Sequence, residues 1–506
     1  MRSKNVLLGS ITTAILSIVT MISGFIIPRL VIMEYGSDIN GLSNSVAQFI
    51  SYFTLLESGL AGAAIFALYK PIAESDYDGI NKIVSASKNY YNRIGMWYIL
   101  LAVVFSAIYG FLFDSAMSSI DTMLLVLAIS VGGALEFITM SKYRVLLTAM
   151  QKTYVVSIAS IFSAILKIVV MYVLIKLHCN IILVKFAGSA SILVRSLIFS
   201  IYVKKKYKFV DYSVSAKGVK LEQRGDVLLM QVLGSAQHAF PTIAMTICHF
   251  PFYEISVYSV YAMVTSGMVS LLQVVLNGSI YSTFGNVISK NEYTLLKKVF
   301  GEFEVGCYAL ISVLFGAAAI LYMPFISIYT NGMTDANYIQ PTIAVLLLIS
   351  TLFAVIKNPL SAMIQAAGHY KKTRWRTIVQ TAIAVIGPLA LAKPLGIAGI
   401  IIGTMCSHIY RTIDILIYVP NKITRTSTFT SLKRMLVCVA SALLAYFGFG
   451  FIAKVAATTY TQWIVYGVIV SVWVCAITFV INIIFNRREM MDLFSRVKML
   501  LKKRRA

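Results

Sequence analysis

The chain reads as a succession of apolar runs close to the length, about 20 residues, that crosses a bilayer as a helix. Short polar stretches separate them. Fourteen runs predict spanning helices at 6–32, 44–68, 95–113, 120–140, 154–175, 181–203, 226–248, 255–281, 304–327, 339–365, 374–392, 397–419, 433–453 and 463–485. The seventh is interrupted by Pro241 and by polar residues. The first follows Met1-Arg2-Ser3-Lys4 directly. It is too long for a signal-peptide core and lacks a small-residue cleavage site, so it is expected to remain as a span.

The spacing of landmarks predicts an internal repeat. Ala149 in Leu147-Thr148-Ala149-Met150-Gln151-Lys152 matches Ala367 in Gln365-Ala366-Ala367-Gly368-His369-Tyr370-Lys371. Lys176 then matches Lys393, and Arg195 matches Arg411, at nearly the same offset. Six spans per repeat put both copies in the same orientation. The expected architecture is an all-α integral membrane protein of about fourteen transmembrane helices, with two pseudo-symmetric six-helix lobes and two extra C-terminal helices. The expected boundaries are 1–203 for the first lobe, 204–225 for a linker loop, 226–419 for the second lobe, 420–486 for spans 13 and 14, and 487–506 for a basic amphipathic tail.

Charge placement tests this map. The 506 residues carry 44 Lys and Arg against 20 Asp and Glu, a net charge of +24. With the N-terminus inside, inner loops and ends hold 35 of the 44 cations, and outer loops hold only Lys176, Lys393 and Lys454. Such a bias is the positive-inside signature of a membrane protein whose termini both face the cytoplasm. It absorbs the basic excess and leaves no argument for nucleic acid. The tail places Met490, Leu493, Phe494, Val497, Leu500 and Leu501 at helical spacing opposite basic residues. That pattern suits the anionic inner leaflet or a partner helix. Six cysteines are scattered singly with no CxxC spacing, so neither a metal nor a redox site is expected.

Nine Lys, Arg, Asp or Glu residues fall more than two positions inside the ends of predicted spans: Arg29, Glu57, Glu136, Lys167, Lys185, Arg195, Lys357, Arg411 and Asp414. Each costs at least ~2.5–3.5 kcal/mol at the bilayer centre, so each needs a partner, a cavity or a way out. Arg29 and Lys185 lie near an outer surface and could snorkel. Arg411 and Asp414 are three apart and could pair on one helix face. Lys167 stands mid-span, too deep to snorkel readily. The candidate substrate-binding set is Arg29, Lys167, Arg195, Lys357 and Arg411, lining a central cationic cavity suited to phosphate oxygens. Glu57, Glu136 and Asp414 are candidate counter-ions or coupling-ion (proton or sodium) sites. Gln231, Gln237, His238 and Pro241 make the seventh span a candidate for bending. No GxSxG, HExxH or Walker loop occurs, and no aqueous domain is large enough for an active site, so the chain is not expected to be an enzyme or to need a cofactor.

The order of several stretches resembles bacterial polysaccharide flippases of the O-antigen type. They are Pro28-Arg29-Leu30, Tyr35-Gly36-Ser37-Asp38-Ile39-Asn40-Gly41-Leu42, Ser45, Gln48-Phe49-Ile50, Leu55-Leu56-Glu57-Ser58-Gly59-Leu60, Tyr258-Ser259-Val260-Tyr261, Ala366-Ala367-Gly368-His369-Tyr370-Lys371, and Gly396-Ile397-Ala398-Gly399 with Gly403-Thr404. That family belongs to the multidrug/oligosaccharidyl-lipid/polysaccharide exporter superfamily, with the lipid II flippases and the multidrug and toxin extrusion antiporters. The resemblance implies two six-helix lobes in a bacterial cytoplasmic membrane. It implies an undecaprenyl-diphosphate-linked oligosaccharide turned from inner to outer leaflet, and polysaccharide polymerase and glycosyltransferases as possible partners. Lipid II flippases use arginines near the end of helix one, where Arg29 stands here, and further arginines in helix two, where this chain has Glu57 instead. That departure favours another lipid-linked glycan. The competing readings are an ion-coupled drug or small-molecule antiporter on the same fold, which would want net acidic groups, and a non-transporting scaffold, which would not need buried charge.

Overall fold

The computed structural model describes residues 2–57, 60–113, 115–216, 219, 225–276, 280–453 and 455–503. Ser58, Gly59, Lys217, Lys220, Arg224, Lys454, Arg504 and Arg505 lie outside the described residues, as do the side chains of Arg2, Lys4 and residues 496–503. Every regular element among the described residues is helical. The chain packs as two compact units, 1–259 with 333–336, and 260–332 with 337–506.

Unit 1 runs through α1 (Arg2–Tyr35), α2 (Ser37–Thr54), α3 (Leu60–Glu74), α4 (Tyr77–Leu112), α5 (Ser119–Leu135), α6 (Ser141–Ala149), α7 (Thr153–Lys176), α8 (Ile181–Ala190), α9 (Ile192–Lys206) and α10 (Gly225–Ile247). It ends inside α11 (Phe252–Leu276). α1 lies along α7, α4 along α5, α5 against α8, and α2 against α10. Three tyrosines of α4 are fully buried, and each phenol finds a partner, as buried Tyr requires. Tyr91 donates to Glu57 Oε1 (3.1 Å), Tyr98 to the Ser130 carbonyl (3.0 Å), and Tyr109 to Ser45 Oγ (2.8 Å).

Unit 2 continues with α12 (Ile280–Ser289), α13 (Tyr293–Tyr329), α14 (Pro341–Ile356), α15 (Asn358–Ala366), α16 (Tyr370–Val419), α17 (Thr428–Ile452), α18 (Tyr460–Phe485) and α19 (Arg487–Lys503). α13 is its axis and touches α14, α17, α18 and α19. Phe300, Tyr308, Ile311 and Phe315 on α13 pack with Leu360, Met363, Val419 and Cys438.

Among the described residues, eleven helices are long and apolar enough to cross a membrane. One of them, Tyr370–Thr424, holds two predicted spans, folded across Gly396 at φ 58° and ψ −141°, a conformation that glycine adopts without a Cβ clash. That accounts for twelve of the fourteen predicted spans. The predicted span 44–68 is α2 and α3, separated by a tight turn at Leu55–Glu57. The predicted span 226–248 is α10, whose Gln231, Gln237 and His238 dilute its apolar character. Stretches read as inner loops prove partly helical. α4 begins at Tyr77 under an Asp76 cap, and α13 at Tyr293. A hydropathy pattern reports only the part of a helix that lies in lipid. Exposed Ile11, Ile15, Ile18, Ile22 and Ile26 make one stripe along α1, a surface that suits lipid and not water.

The repeat is written in the helix ends. Positive-φ residues mark helix ends or breaks at Gly36 and His249, at Ser75 and Asn291, at Gln151 and Gly368, and at His178 and Gly396. Each pair is separated by nearly the same interval as the sequence landmarks. The cap bonds repeat as well. The Lys152 amide donates to the Leu147 carbonyl, and at the equivalent turn the His369 amide donates to the Ile364 carbonyl. Ser196 Oγ donates to the Thr139 carbonyl (3.2 Å), and Thr412 Oγ1 to the Phe353 carbonyl (3.1 Å).

Candidate functional site

In unit 1 the helix predicted at 120–140 runs on to Ala149 but is broken by a π turn at Glu136–Met140. Such turns widen the helix and re-aim its side chains. Together with the Leu55–Glu57 turn, this break brings two carboxylates to one cation. Arg144 donates from Nη1 to Glu136 Oε1 at 2.8 Å and from Nη2 to Glu57 Oε1. Tyr91 also donates to Glu57, and Arg195 reaches Glu136 Oε2 at 3.4 Å and Ser160 Oγ at 3.3 Å. Two carboxylates and two guanidiniums cancel.

The charge map along the sequence places Arg144 in an inner loop; it is the hub of this network. Glu57 and Glu136, expected as possible counter-ions of Lys167, are ion-paired to arginines instead. The available signal is the proximity of Glu136 and Arg144 along one nominal helix, about two turns apart.

Lys167 has no ion-pair partner among the described residues. On α7 the residues Ile158, Phe162, Ile165, Val169 and Tyr172 form an exposed apolar stripe. At 3.6 residues per turn, Lys167 lies about 180° from the centre of that stripe, and it is nonetheless exposed. Its Cε lies 3.8 Å from where a Cβ on Gly188 of α8 would stand. Lys185, half-buried on α8, feels the charge of Lys167. Two ammonium groups therefore share one side of α7 and α8, away from the lipid-facing stripe. Ser160 and Ser163 extend that polar face of α7. Arg29 stands half-buried near the end of α1, and its side chain is engaged.

In unit 2 the fourth helix of the repeat is broken again, between α14 and α15, and Lys357 occupies the break. Its Nζ lies 3.4 Å from His408 Nδ1, and it feels the charge of Arg411. Arg411 pairs with Asp414 at 2.7 Å, as the three-residue spacing predicts. The same carboxylate takes Arg376 Nε at 3.2 Å. Arg376, counted by sequence as a loop cation, also stacks on Tyr418, 4.6 Å from the ring centroid. Tyr418 in turn meets His369 Nδ1 at 3.1 Å. Burial and the neighbouring Lys372 lower the pKa of His369, which lies in the turn outside the spans.

A further buried group escapes the sequence pattern. Glu304 of α13 is fully buried and accepts from Arg434 Nη1 at 2.6 Å. Arg434 Nη2 donates to Glu489 at 2.6 Å, and Lys298 pairs with Asp492 at 3.1 Å. The tail helix α19 is thus docked on α13 and α17 through its acidic residues. Its exposed side carries Arg487, Arg488, Met491 and Phe494. The sequence shows the amphipathic pattern, but not which face is held by protein. No group of His, Cys, Asp and Glu that could hold a metal ion occurs among the described residues.

No family model matches the chain, and no curated protein matches it. Solved structures do. The lipid II flippase MurJ in an inward closed conformation aligns with TM-score 0.68 at 15% identity, covering 96% of this chain and 100% of its own. An inward-facing multidrug resistance MATE transporter of the MOP superfamily aligns with TM-score 0.64 at 16% identity, covering 80% of this chain and 95% of its own. A eukaryotic MATE transporter aligns with TM-score 0.56 at 14% identity, covering 86% and 99%. At these identities the likeness establishes a shared fold: the chain is an all-α, multi-pass membrane protein with the architecture of these transporters.

Proposed function

We propose that this chain is a flippase that moves an undecaprenyl-diphosphate-linked oligosaccharide across the bacterial cytoplasmic membrane for cell-surface polysaccharide synthesis. It does so by alternating access, and it is not an enzyme. In this reading it belongs to the O-antigen-type branch of the superfamily that includes the MATE and MurJ transporters. Its N- and C-termini are cytoplasmic, and its two six-helix lobes, 1–203 and 226–419, meet the substrate with the cationic residues Arg29, Lys167, Arg195, Lys357 and Arg411.

The observation that carries the reading is Lys167. A lysine at mid-span, opposite the lipid-facing stripe of its helix and without an ion-pair partner among the described residues, is stable only where water or an anion reaches it. The carboxylates favour the same direction. A cation exporter wants accessible acids in its pathway, whereas Glu57, Glu136, Asp414 and Glu304 are each held by an arginine. The likeness in fold to the lipid II flippase MurJ supports a lipid-linked substrate.

The test is lipid analysis of a deletion strain complemented with wild type or with Lys167→Ala. Cytoplasmic-side accumulation of a lipid-linked oligosaccharide, cleared by wild type and not by Lys167→Ala at equal protein level, is the expected result. No accumulation, together with new sensitivity to cationic dyes, would replace the flippase reading with the antiporter.

A further inference from the structure

Unit 2 contains a charge excess that its own residues do not balance. Arg376 and Arg411 share a single carboxylate, Asp414, and Lys357 stands beside His408 within range of the Arg411 charge. Arg376 gives Nε to Asp414, while its Nη1 has no acceptor among the described residues. The Arg376 side chain is nevertheless 36% exposed, so part of it remains open although Nη1 itself is enclosed. The one hydrogen-bond partner of Lys357 among the described residues is the imidazole of His408, which carries no negative charge to offset it. Three basic residues with one carboxylate among the described residues leave positive charge in excess at the edge of a membrane span, where unpaired charge is costly. Unit 1 shows that the repeat can balance such a cluster: Arg144 and Arg195 meet two carboxylates.

We propose that Lys357, Arg376 and Arg411 form a dianion site on unit 2 that takes the diphosphate of the lipid carrier. The proposal rests on the flippase reading and adds to it where the diphosphate is held and how it is told from bulk lipid. A diphosphate diester carries two negative charges and matches the excess. A phospholipid phosphodiester carries one and leaves a cation unpaired. The fork geometry of a guanidinium suits two phosphoryl oxygens at once, and the lysine at the helix break supplies a point charge beside it. Asp414 holds both guanidiniums in orientation and is a positioning residue.

The experiment uses full-length protein in phosphatidylcholine nanodiscs and measures binding of undecaprenyl-diphosphate-linked N-acetylglucosamine, a diphosphate diester, with phosphatidylglycerol as competitor. Wild type should bind the diphosphate and resist competition. Arg376→Ala and Lys357→Ala should each weaken binding by about tenfold or more, the scale of a lost charge-assisted hydrogen bond. Arg376→Gln keeps shape and tests the charge alone, and a thermal melt verifies folding of each variant. Wild-type affinity in all three variants would overturn this site and leave the flippase reading standing. Equal affinity for phosphatidylglycerol would overturn the dianion specificity, because the site would then be an ordinary phospholipid contact. Failure of wild type to bind the diphosphate at all would remove the flippase reading together with the site.

Discussion

The two units break the same helix and put opposite charges at the break. In unit 1 the π turn begins at Glu136; in unit 2 the interruption is Lys357. Around each, the sixth helix of the repeat supplies an arginine at the equivalent position, Arg195 or Arg411. From there the two diverge. Unit 1 sums to neutrality through Glu57, Glu136, Arg144 and Arg195, and that network joins four helical segments, with Arg195 Nε as the one donor in it left without an acceptor among the described residues. Unit 2 keeps one carboxylate for three cations. A closed network fixes a scaffold; an open one is stable only with a ligand, water or an anion in reach. Duplication of one helical frame has thus left one cluster suited to holding the helices and another suited to holding a charge.

The sharpest way to break this contrast is to delete one cation from each side. Arg144→Met in unit 1 leaves Glu57 without a cation and Glu136 with only the 3.4 Å contact to Arg195. Breaking a buried pair costs about 3–5 kcal/mol, and partial exposure of all three side chains places the expectation near the lower end, about 3 kcal/mol. Lys357→Met in unit 2 removes a charge that has no acidic partner of its own, so it should leave stability unchanged or raise it. Thermal melts of the two variants in the same detergent make the comparison. A fall in both, of equal size, would show that Lys357 is as structural as Arg144, and the distinction between the clusters would disappear.

A smaller effect is expected from Asp414→Asn. It keeps the shape and one acceptor but removes the charge that two guanidiniums share, at a cost of about 1.5–3 kcal/mol for charge-assisted bonds. If the site holds a diphosphate, the same variant gains one positive charge and should bind an anion no more weakly, with a steeper dependence on salt. Destabilisation accompanied by loss of binding would show that the orientation Asp414 gives the two guanidiniums outweighs the charge the variant gains.

These contrasts also show what the sequence could disclose. Spans were legible because burial in lipid is set by composition over about 20 residues, and the repeat was legible because turns such as Gln151 and Gly368 recur at a fixed interval. Arg411 with Asp414 was legible because both stand on one helix. Arg144, Arg376 and Arg434 were not. Each lies near the end of an apolar run, where a cation in a loop and a cation turned back into the helix bundle look the same along the chain. What decides between them is a partner on another helix, Glu57 for Arg144 and Glu304 for Arg434, and periodicity carries no information about that. The break at Glu136–Met140 was hidden for a related reason. A π turn adds one residue without changing the apolar pattern around it.

The mildest distinction lies at the turn that follows each left-handed cap. Unit 1 has Lys152 there and unit 2 has His369 at the matching position, so of these two turns only that of unit 2 can change charge near neutral pH through this position. His369 is bounded by Tyr418 at 3.1 Å and by Lys372 at 3.2 Å, and Arg376 lies over the Tyr418 ring. Burial first, and then Lys372, lower its pKa below the ordinary 6.5. The folded protein therefore binds this proton less readily than the unfolded chain does, and stability rises with pH across that window. The contribution is complete above the unfolded value of about 6.5 and declines as pH falls through the lowered folded value. Melting temperatures measured from about pH 5 to about pH 7.5 should drop at the acid end by a small margin, since the imidazole is partly exposed. His369→Gln, which retains a hydrogen-bonding side chain without the titration, should flatten that part of the profile, whereas Lys152→Gln should leave its slope unchanged. An unaltered acid slope in His369→Gln would assign the pH response elsewhere and remove this difference between the two units.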